Sequence, residues 1–138
     1  MSYDPQNIFA RILRGELPCV RVYEDAATLA FLDIMPQTEG HTLVLPKEPA
    51  ATLLDLSPAA AAATIQVTQK VARAVQVAVG AEGLLISQFN GAAAGQTVPH
   101  VHFHILPRWE GIRLKAHGRD KADPDQLELL AERIIAAL

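Results

Sequence analysis

Three histidines recur at every second position in the segment Gly95-Gln96-Thr97-Val98-Pro99-His100-Val101-His102-Phe103-His104-Ile105-Leu106-Pro107. Side chains of an extended strand alternate between its faces, so His100, His102 and His104 are expected on one face and Val101, Phe103 and Ile105 on the other. The apolar face packs, and the histidine face is left for chemistry. A neutral imidazole can act as nucleophile, general base or metal ligand, and a protonated one can partner an anion. The turn before it, Asn90-Gly91-Ala92-Ala93-Ala94-Gly95, is built of small residues whose backbone N–H groups can form a concavity for phosphate oxygens.

A single histidine on a half-exposed strand is an ordinary polar residue, but three in register behind a glycine-rich turn need another reason. A three-ligand metal site fits poorly. At about 3.3 Å per residue the outer two Cα atoms stand about 13 Å apart, at the limit of what two imidazoles span to one ion. Neighbouring pairs could still chelate, yet no Cys, Asp or Glu lies in the segment to complete a ligand set. Anion chemistry fits better and needs no metal or other cofactor in principle, because imidazolium and backbone dipoles can meet the developing charge.

The elements that must position these residues are marked by caps and periodicity. Asp4-Pro5 is expected to cap a short helix carrying Ile8, Phe9, Ile12 and Leu13 up to Gly15. Strand-length apolar pieces follow at Val20 to Tyr23, Thr28 to Leu32 and Thr42 to Leu45. Ser57-Pro58 opens a long helix with Ala61, Ile65, Thr68, Ala72, Val75 and Val79 in one stripe, and Gly80 ends it. Val67, Val71, Ala74 and Ala78 widen that stripe, which fits either a homodimer interface or deep burial in a monomer. Gly83 to Phe89 and Val98 to Leu106 read as two more strands, and Asp123-Pro124 opens a last helix with Leu127, Leu130, Ile134 and Leu138. Strand runs and helices without regular βαβ alternation predict an α+β fold on a mostly antiparallel five-stranded sheet.

Composition bounds the rest. With 138 residues and 50% hydrophobic content the chain is long and apolar enough for one domain, 1–138, with its own core. Twelve Lys and Arg against fifteen Asp and Glu, net -3, with the basic residues scattered, argue against a nucleic-acid partner. Cys19 is the only cysteine, which excludes an internal disulfide and a cysteine zinc cage. The N-terminal stretch has no basic start followed by an apolar run, and nothing approaches the roughly 18 apolar residues of a membrane span. A cytoplasmic protein with no membrane partner is expected.

The segment His100-Val101-His102-Phe103-His104-Ile105-Leu106 resembles the signature of the histidine triad (HIT) family, His-x-His-x-His followed by two apolar residues. The resemblance extends over most of the chain: Asn7-Ile8-Phe9, Leu17-Pro18, Tyr23-Glu24-Asp25, Phe31-Leu32-Asp33-Ile34, Pro36-Gln37, His41 to Lys47 and Gly95-Gln96-Thr97-Val98. It implies a HIT-like fold, an antiparallel sheet with a long helix and a C-terminal helix, that forms a homodimer. It also implies a hydrolase or transferase acting on purine nucleoside monophosphate conjugates, such as AMP phosphoramidates, through a nucleotidyl-histidine intermediate. Dinucleoside polyphosphate hydrolysis and nucleotide binding without turnover are the alternatives. By the family pattern His102 is the nucleophile, its other ring nitrogen held by a main-chain carbonyl. His100 and His41 support the site, and His104 contacts the phosphate. Gly95, Gln96 and Thr97 match the phosphate-binding turn, Asp33 the ribose-binding carboxylate, and Leu17, Phe31 and Ile34 the apolar slot for the base. Phe9 matches that slot too, although its pattern alone reads as core.

The chain departs from the family pattern in two places. Many bacterial relatives carry Cys-x-x-Cys near the start and hold zinc with it, but Asn7 and Ala10 occupy those positions, so no zinc site carries over. Phe89 stands where a phosphoramidase-like branch has Asn and a polyphosphate-cleaving branch has Gln, and Asn90 comes one place late. Residues 1–108 match the family core, and 109–138 resemble the extension of bacterial members. In that extension His117 and Arg119 are read as a solvated turn, with contact to a substrate phosphate across a dimer as the alternative. Lys47 and Arg108 are read as surface charges.

Overall fold

The computed structural model describes residues 2–116 and 118–138; His117 lies outside the described residues. Its sheet comprises β1 (Val20–Glu24), β2 (Thr28–Leu32), β3 (Thr42–Pro46), β4 (Gly83–Ser87) and β5 (Phe103–Arg108). They pair antiparallel throughout in the order β1-β2-β3-β5-β4. The α+β expectation is met, with helices α1 (Ile8–Leu13), α2 (Pro58–Val79) and α3 (Pro124–Ala137) around the sheet.

Asn7, and not Asp4, caps α1: its side-chain oxygen accepts from the Ala10 N–H at 2.9 Å. Asp4 closes the preceding turn, its carboxylate accepting from the Gln6 N–H and its carbonyl from the Asn7 N–H. Either acidic or amide side chain satisfies the helix start, so the proline at position 5 drew the expected cap three residues early. Asn7 and Ala10, the positions at which the resemblance implies a zinc-binding Cys-x-x-Cys, are therefore joined here by a cap hydrogen bond. Ser57 caps α2 through the Ala60 N–H, and Gly80 ends it at φ 63°, as the sequence predicts.

The buried face of α2 is Thr64, Val67, Thr68, Val71, Ala72, Ala74 and Val75. Ile65 falls off it and is 48% exposed, while Ala61 is only partly covered. The sheet covers one side of α2 and α3 a second, through Leu127, Leu130 and Ile134, so burial within the chain accounts for its wide stripe. Leu138 lies past the end of α3 and is exposed.

Both faces of the central strands are covered, and β2 and β3 are buried at every residue. Ala30, Leu32, Val44, Phe103 and Ile105 pack toward α2 and α3, while Leu29, Phe31, Leu43 and Leu45 pack with Phe9 of α1. Among the described residues no helix is long and apolar enough to cross a membrane.

The expected fourth strand ends at Ser87, two residues short of Phe89, and the expected fifth begins five residues late, at Phe103. His100 and His102 thus precede the strand, and His104 alone lies on it. In register His104 sits between Leu43 of β3 and Ser87 of β4, which places it on the sheet face that packs against α1. All three histidines are at least nine-tenths buried.

Candidate active site

His102 and His104 lie with ring centroids 4.9 Å apart, and main-chain groups fix their protonation in opposite senses. The His100 carbonyl can only accept, so His102 Nδ1, 2.7 Å away, carries the proton and the ring's lone pair lies on Nε2. On the other ring the order is reversed. The Gln37 backbone N–H donates to His41 Nδ1 at 3.1 Å, so His41 carries its proton on Nε2 and donates to His104 Nδ1 at 3.0 Å. A neutral His104 then carries its own proton on Nε2. Two adjacent imidazoles therefore present a nucleophilic nitrogen and a donor.

His100 stands apart from this pair. Fully buried, it donates from Nε2 to the Pro46 carbonyl at 2.8 Å and accepts at Nδ1 from the Tyr3 hydroxyl at 2.7 Å. Its expected place on a common face with the other two gives way because the segment bends before β5 starts. Burial holds the His100 imidazole below its ordinary pKa, the Pro46 carbonyl opposing only in part. The folded state then binds fewer protons than the unfolded chain once pH drops below about 6.5, so stability is full above that value and is lost as pH falls. Urea unfolding between pH 7.5 and pH 5.5 should show this loss, at most about 1.4 kcal/mol per pH unit from this group. In H100Q the slope should be shallower by that contribution; equal slopes would assign the acid sensitivity elsewhere.

An apolar cavity of about 440 Å³ opens beside the histidine pair. Phe9, Leu17, Phe31 and Ile34 line it, as the family pattern implies, together with Ile8, Ile12, Pro18, Cys19, Met35, Leu43 and Val98. Phe9 is both core and lining, 7% exposed with its ring edge-on to His102 at 4.8 Å. Ile34 is half exposed at the mouth. Burial pushes the Cys19 thiol up, so it behaves here as a small apolar wall. Asp33, Thr97, His102 and His104 are the polar members of this lining.

Asp33 is set by its own turn. Its Oδ1 accepts from the Met35 N–H at 2.8 Å, and its Oδ2 stands 3.7 Å from His41 Nε2. Gly40, at φ +85°, lets the chain reverse so that His41 returns beside Asp33, whose N–H donates to the His41 carbonyl at 3.0 Å. The segment after β5 is tied to this loop: the Lys115 N–H donates to the Gln37 carbonyl at 2.7 Å and the Ala122 N–H to the Ile34 carbonyl at 2.9 Å.

The glycine-rich turn is braced from within. The Gln96 carboxamide is buried, accepting from the Gly91 N–H and donating to the Ala51 and Val98 carbonyls. Its side chain is a loop brace, so the groups that face outward from this turn are backbone and the exposed Thr97. Gly95, also exposed, takes φ +102°.

Tyr3 and the Gln37 backbone carry no sequence signal, since a lone N-terminal tyrosine and a peptide N–H acquire meaning only when packed against a histidine. Ile8 and Ile12 were legible as helix periodicity but not as cavity wall. Arg119 is exposed; Lys47 pairs with Glu24 at 2.8 Å, and Arg108 donates to the Ile112 carbonyl at 3.1 Å. Among the described residues no group of three His, Cys, Asp or Glu is arranged to hold a metal ion.

A family model described as the HIT domain matches residues 14–111. An uncharacterised HIT-like protein of Mycobacterium tuberculosis is 45% identical over 121 residues, covering 86% of this chain and 84% of its own. The adenosine 5'-monophosphoramidase hnt1 of Schizosaccharomyces pombe is 46% identical over 101 residues, 73% of each chain. The crystal structure of a HIT-like protein involved in cell-cycle regulation from Bartonella henselae superposes with a TM-score of 0.94 at 48% identity, covering 100% of both chains.

Proposed function

The chain belongs to the HIT family, and on that premise we propose that it is a nucleotide hydrolase or transferase that cleaves purine nucleoside monophosphate conjugates, phosphoramidates foremost. The observation that carries this reading is the pair His102 and His104, fixed in opposite tautomers at the edge of an apolar cavity of about 440 Å³. A purine ring fits such a slot by burying flat apolar surface between Phe9, Phe31 and Leu17. Asp33, on the same lining, supplies a carboxylate that accepts from ribose hydroxyls.

With the sugar so placed, His102 Nε2 attacks the α-phosphorus, forming a P–N bond while the bond to the leaving amine breaks; the amine nitrogen takes a proton from solvent, and the later hydrolysis returns one. His104, with its proton on Nε2, donates to a phosphoryl oxygen as charge builds there, and the backbone of the Gly95-Gln96-Thr97 turn adds fixed dipoles. His100 acts through its carbonyl, which holds the His102 ring by Nδ1, and His41 holds the His104 tautomer. Water then cleaves the P–N bond to His102, releasing the nucleoside monophosphate and restoring the imidazole.

Relatives support this reading, since one of them is named an adenosine 5'-monophosphoramidase. The test is steady-state turnover of an adenosine 5'-phosphoramidate beside diadenosine tetraphosphate in excess EDTA. Preferential, EDTA-insensitive cleavage of the phosphoramidate is expected. Preference for the polyphosphate would move the protein to that hydrolase class, and AMP binding without turnover of either would make it a binding module.

A homodimer belongs to the same proposal. β4 is an edge strand of the sheet, and Leu85 and Ile86 on it and Ile65 on neighbouring α2 are 43%, 40% and 48% exposed. An edge that presents unpaired backbone groups beside apolar side chains favours pairing with a second copy. Sedimentation at micromolar concentration should give twice the chain mass, and L85D should give a monomer; a wild-type monomer would remove the proposal.

A further inference from the structure

Resting on the reading above, we infer that Phe89 selects the leaving group, favouring conjugates whose leaving amine carries a flat apolar group over polyphosphates. Phe89 lies just beyond β4 and is 38% exposed. Its ring centroid is 5.4 Å from that of His104 at an interplanar angle of 56°. It also covers the glycine-rich turn, since a Cβ built on Gly95 would meet the Phe89 ring at 3.9 Å. Phe89 nevertheless takes no part in the apolar cavity that would hold the base. A group attached to the phosphorus on the side away from the base therefore leaves the histidine pair by way of this ring.

The carboxamides on either side of Phe89 are engaged with each other. Gln88 and Asn90 pair their carboxamides in both directions at 2.8 Å. Asn90 Oδ1 also accepts from the Leu53 N–H at 2.8 Å, which commits Asn90 to its own loop. Gln96 braces the turn from inside, and the Ser87 hydroxyl, opposite His104 across the β4–β5 pair, has no hydrogen-bond partner among the described residues but is buried and closed off from solvent. What this side of the histidine pair offers a leaving group is thus an aromatic face.

Such a face discriminates in two ways. A ring on the leaving amine gains an aromatic contact, worth about 3- to 10-fold in kcat/KM. A polyphosphate must bring charge against an apolar ring and gives up water there without a polar partner in exchange. An amide at this position would reverse the second effect by donating to a phosphate oxygen.

The experiment measures kcat/KM of the wild type, F89A and F89Q for adenosine 5'-phosphoramidates of benzylamine and methylamine and for diadenosine tetraphosphate. The benzylamine-to-methylamine ratio should be about 3- to 10-fold higher in the wild type than in F89A; intrinsic amine reactivity and any loss of folded fraction cancel in that comparison. F89Q should raise the polyphosphate-to-phosphoramidate ratio by a similar factor. Active enzymes whose ratios are the same in all three proteins would overturn the inference and leave the parent reading standing. Absence of turnover in the wild type would instead remove the parent reading and this inference with it.

Discussion

Replacing His102 with alanine is expected to lower turnover of an adenosine 5'-phosphoramidate by about 10³-fold or more while AMP binding changes by only a few fold. The asymmetry follows from what the ring touches. His102 offers a lone pair on Nε2 because the His100 carbonyl holds Nδ1, and no other described side chain sits where it could replace that nitrogen at the same phosphorus with its tautomer set in this sense. Loss of a nucleophile removes the covalent step outright, and in enzymes whose groups act as a unit one such deletion accounts for most of the rate enhancement. Binding, by contrast, rests mainly on the cavity walls, and Phe9, Phe31 and Leu17 are untouched. H102G should regain part of its rate when imidazole is added to the buffer, because the vacated space admits the missing ring. Turnover by H102A within tenfold of wild type would show that the phosphorus is attacked by another group or directly by water.

The second large effect is expected at Gly40, where alanine should cost about 2–5 kcal/mol of folding stability. Two terms add. At φ +85° an L side chain meets its own backbone, at a cost of about 1–2 kcal/mol. Its Cβ would also stand 3.1 Å from Pro107 Cγ, 3.2 Å from Val79 Cγ1 and 3.4 Å from Val75 Cγ1, in packed surroundings where extra volume costs about 1–3 kcal/mol. Gly15 provides the control, because at φ +78° its Cβ would meet nothing within 4 Å. Only the first term applies there, so G15A should lose about half as much in urea unfolding. Equal losses would show that crowding by Pro107 and Val79 is relieved at no cost. G40A should also lower turnover measured below its unfolding midpoint, since the residue that follows is His41, whose ring sets the His104 proton.

How far the sequence reached depended on whether a feature is local. The cap-and-proline pairs at Ser57-Pro58 and Asp123-Pro124 located two helices to the residue, because a cap is a contact between neighbours in the chain. Asp4-Pro5 carried the same signal yet closed a turn, its carboxylate taking the Gln6 N–H, while the helix began three residues later with Asn7 on the Ala10 N–H. The start of β5 was misplaced because alternation continues through His100-Val101-His102 even where no strand partner is present, and pairing with β3 begins only at Phe103. Burial of the histidines on both sides was likewise invisible, since α1 covers that face from 90 residues away. The candidate site was legible as a set of residue types, and the family pattern drew in Asp33, His41, Phe31 and Leu17, which spacing alone would not have joined. What it could not supply is which nitrogen carries each proton. That is decided by the His100 carbonyl and the Gln37 amide, groups every residue has and no sequence distinguishes.

The ties from Lys115 to Gln37 and from Ala122 to Ile34 join the last part of the chain to the loop between β2 and β3. They span more than half the sequence, so the entropy of closing that length falls on these contacts and on the docking of α3 together. The loop that carries Asp33 and presents His41 is therefore the part of the molecule whose order waits on the end of the chain. In the native state the loop and the closing segment are expected to open as one cooperative unit, so that the Lys115 and Ala122 amides exchange hydrogen at a common rate. The order of the candidate site is in this sense lent to it by the segment that follows β5.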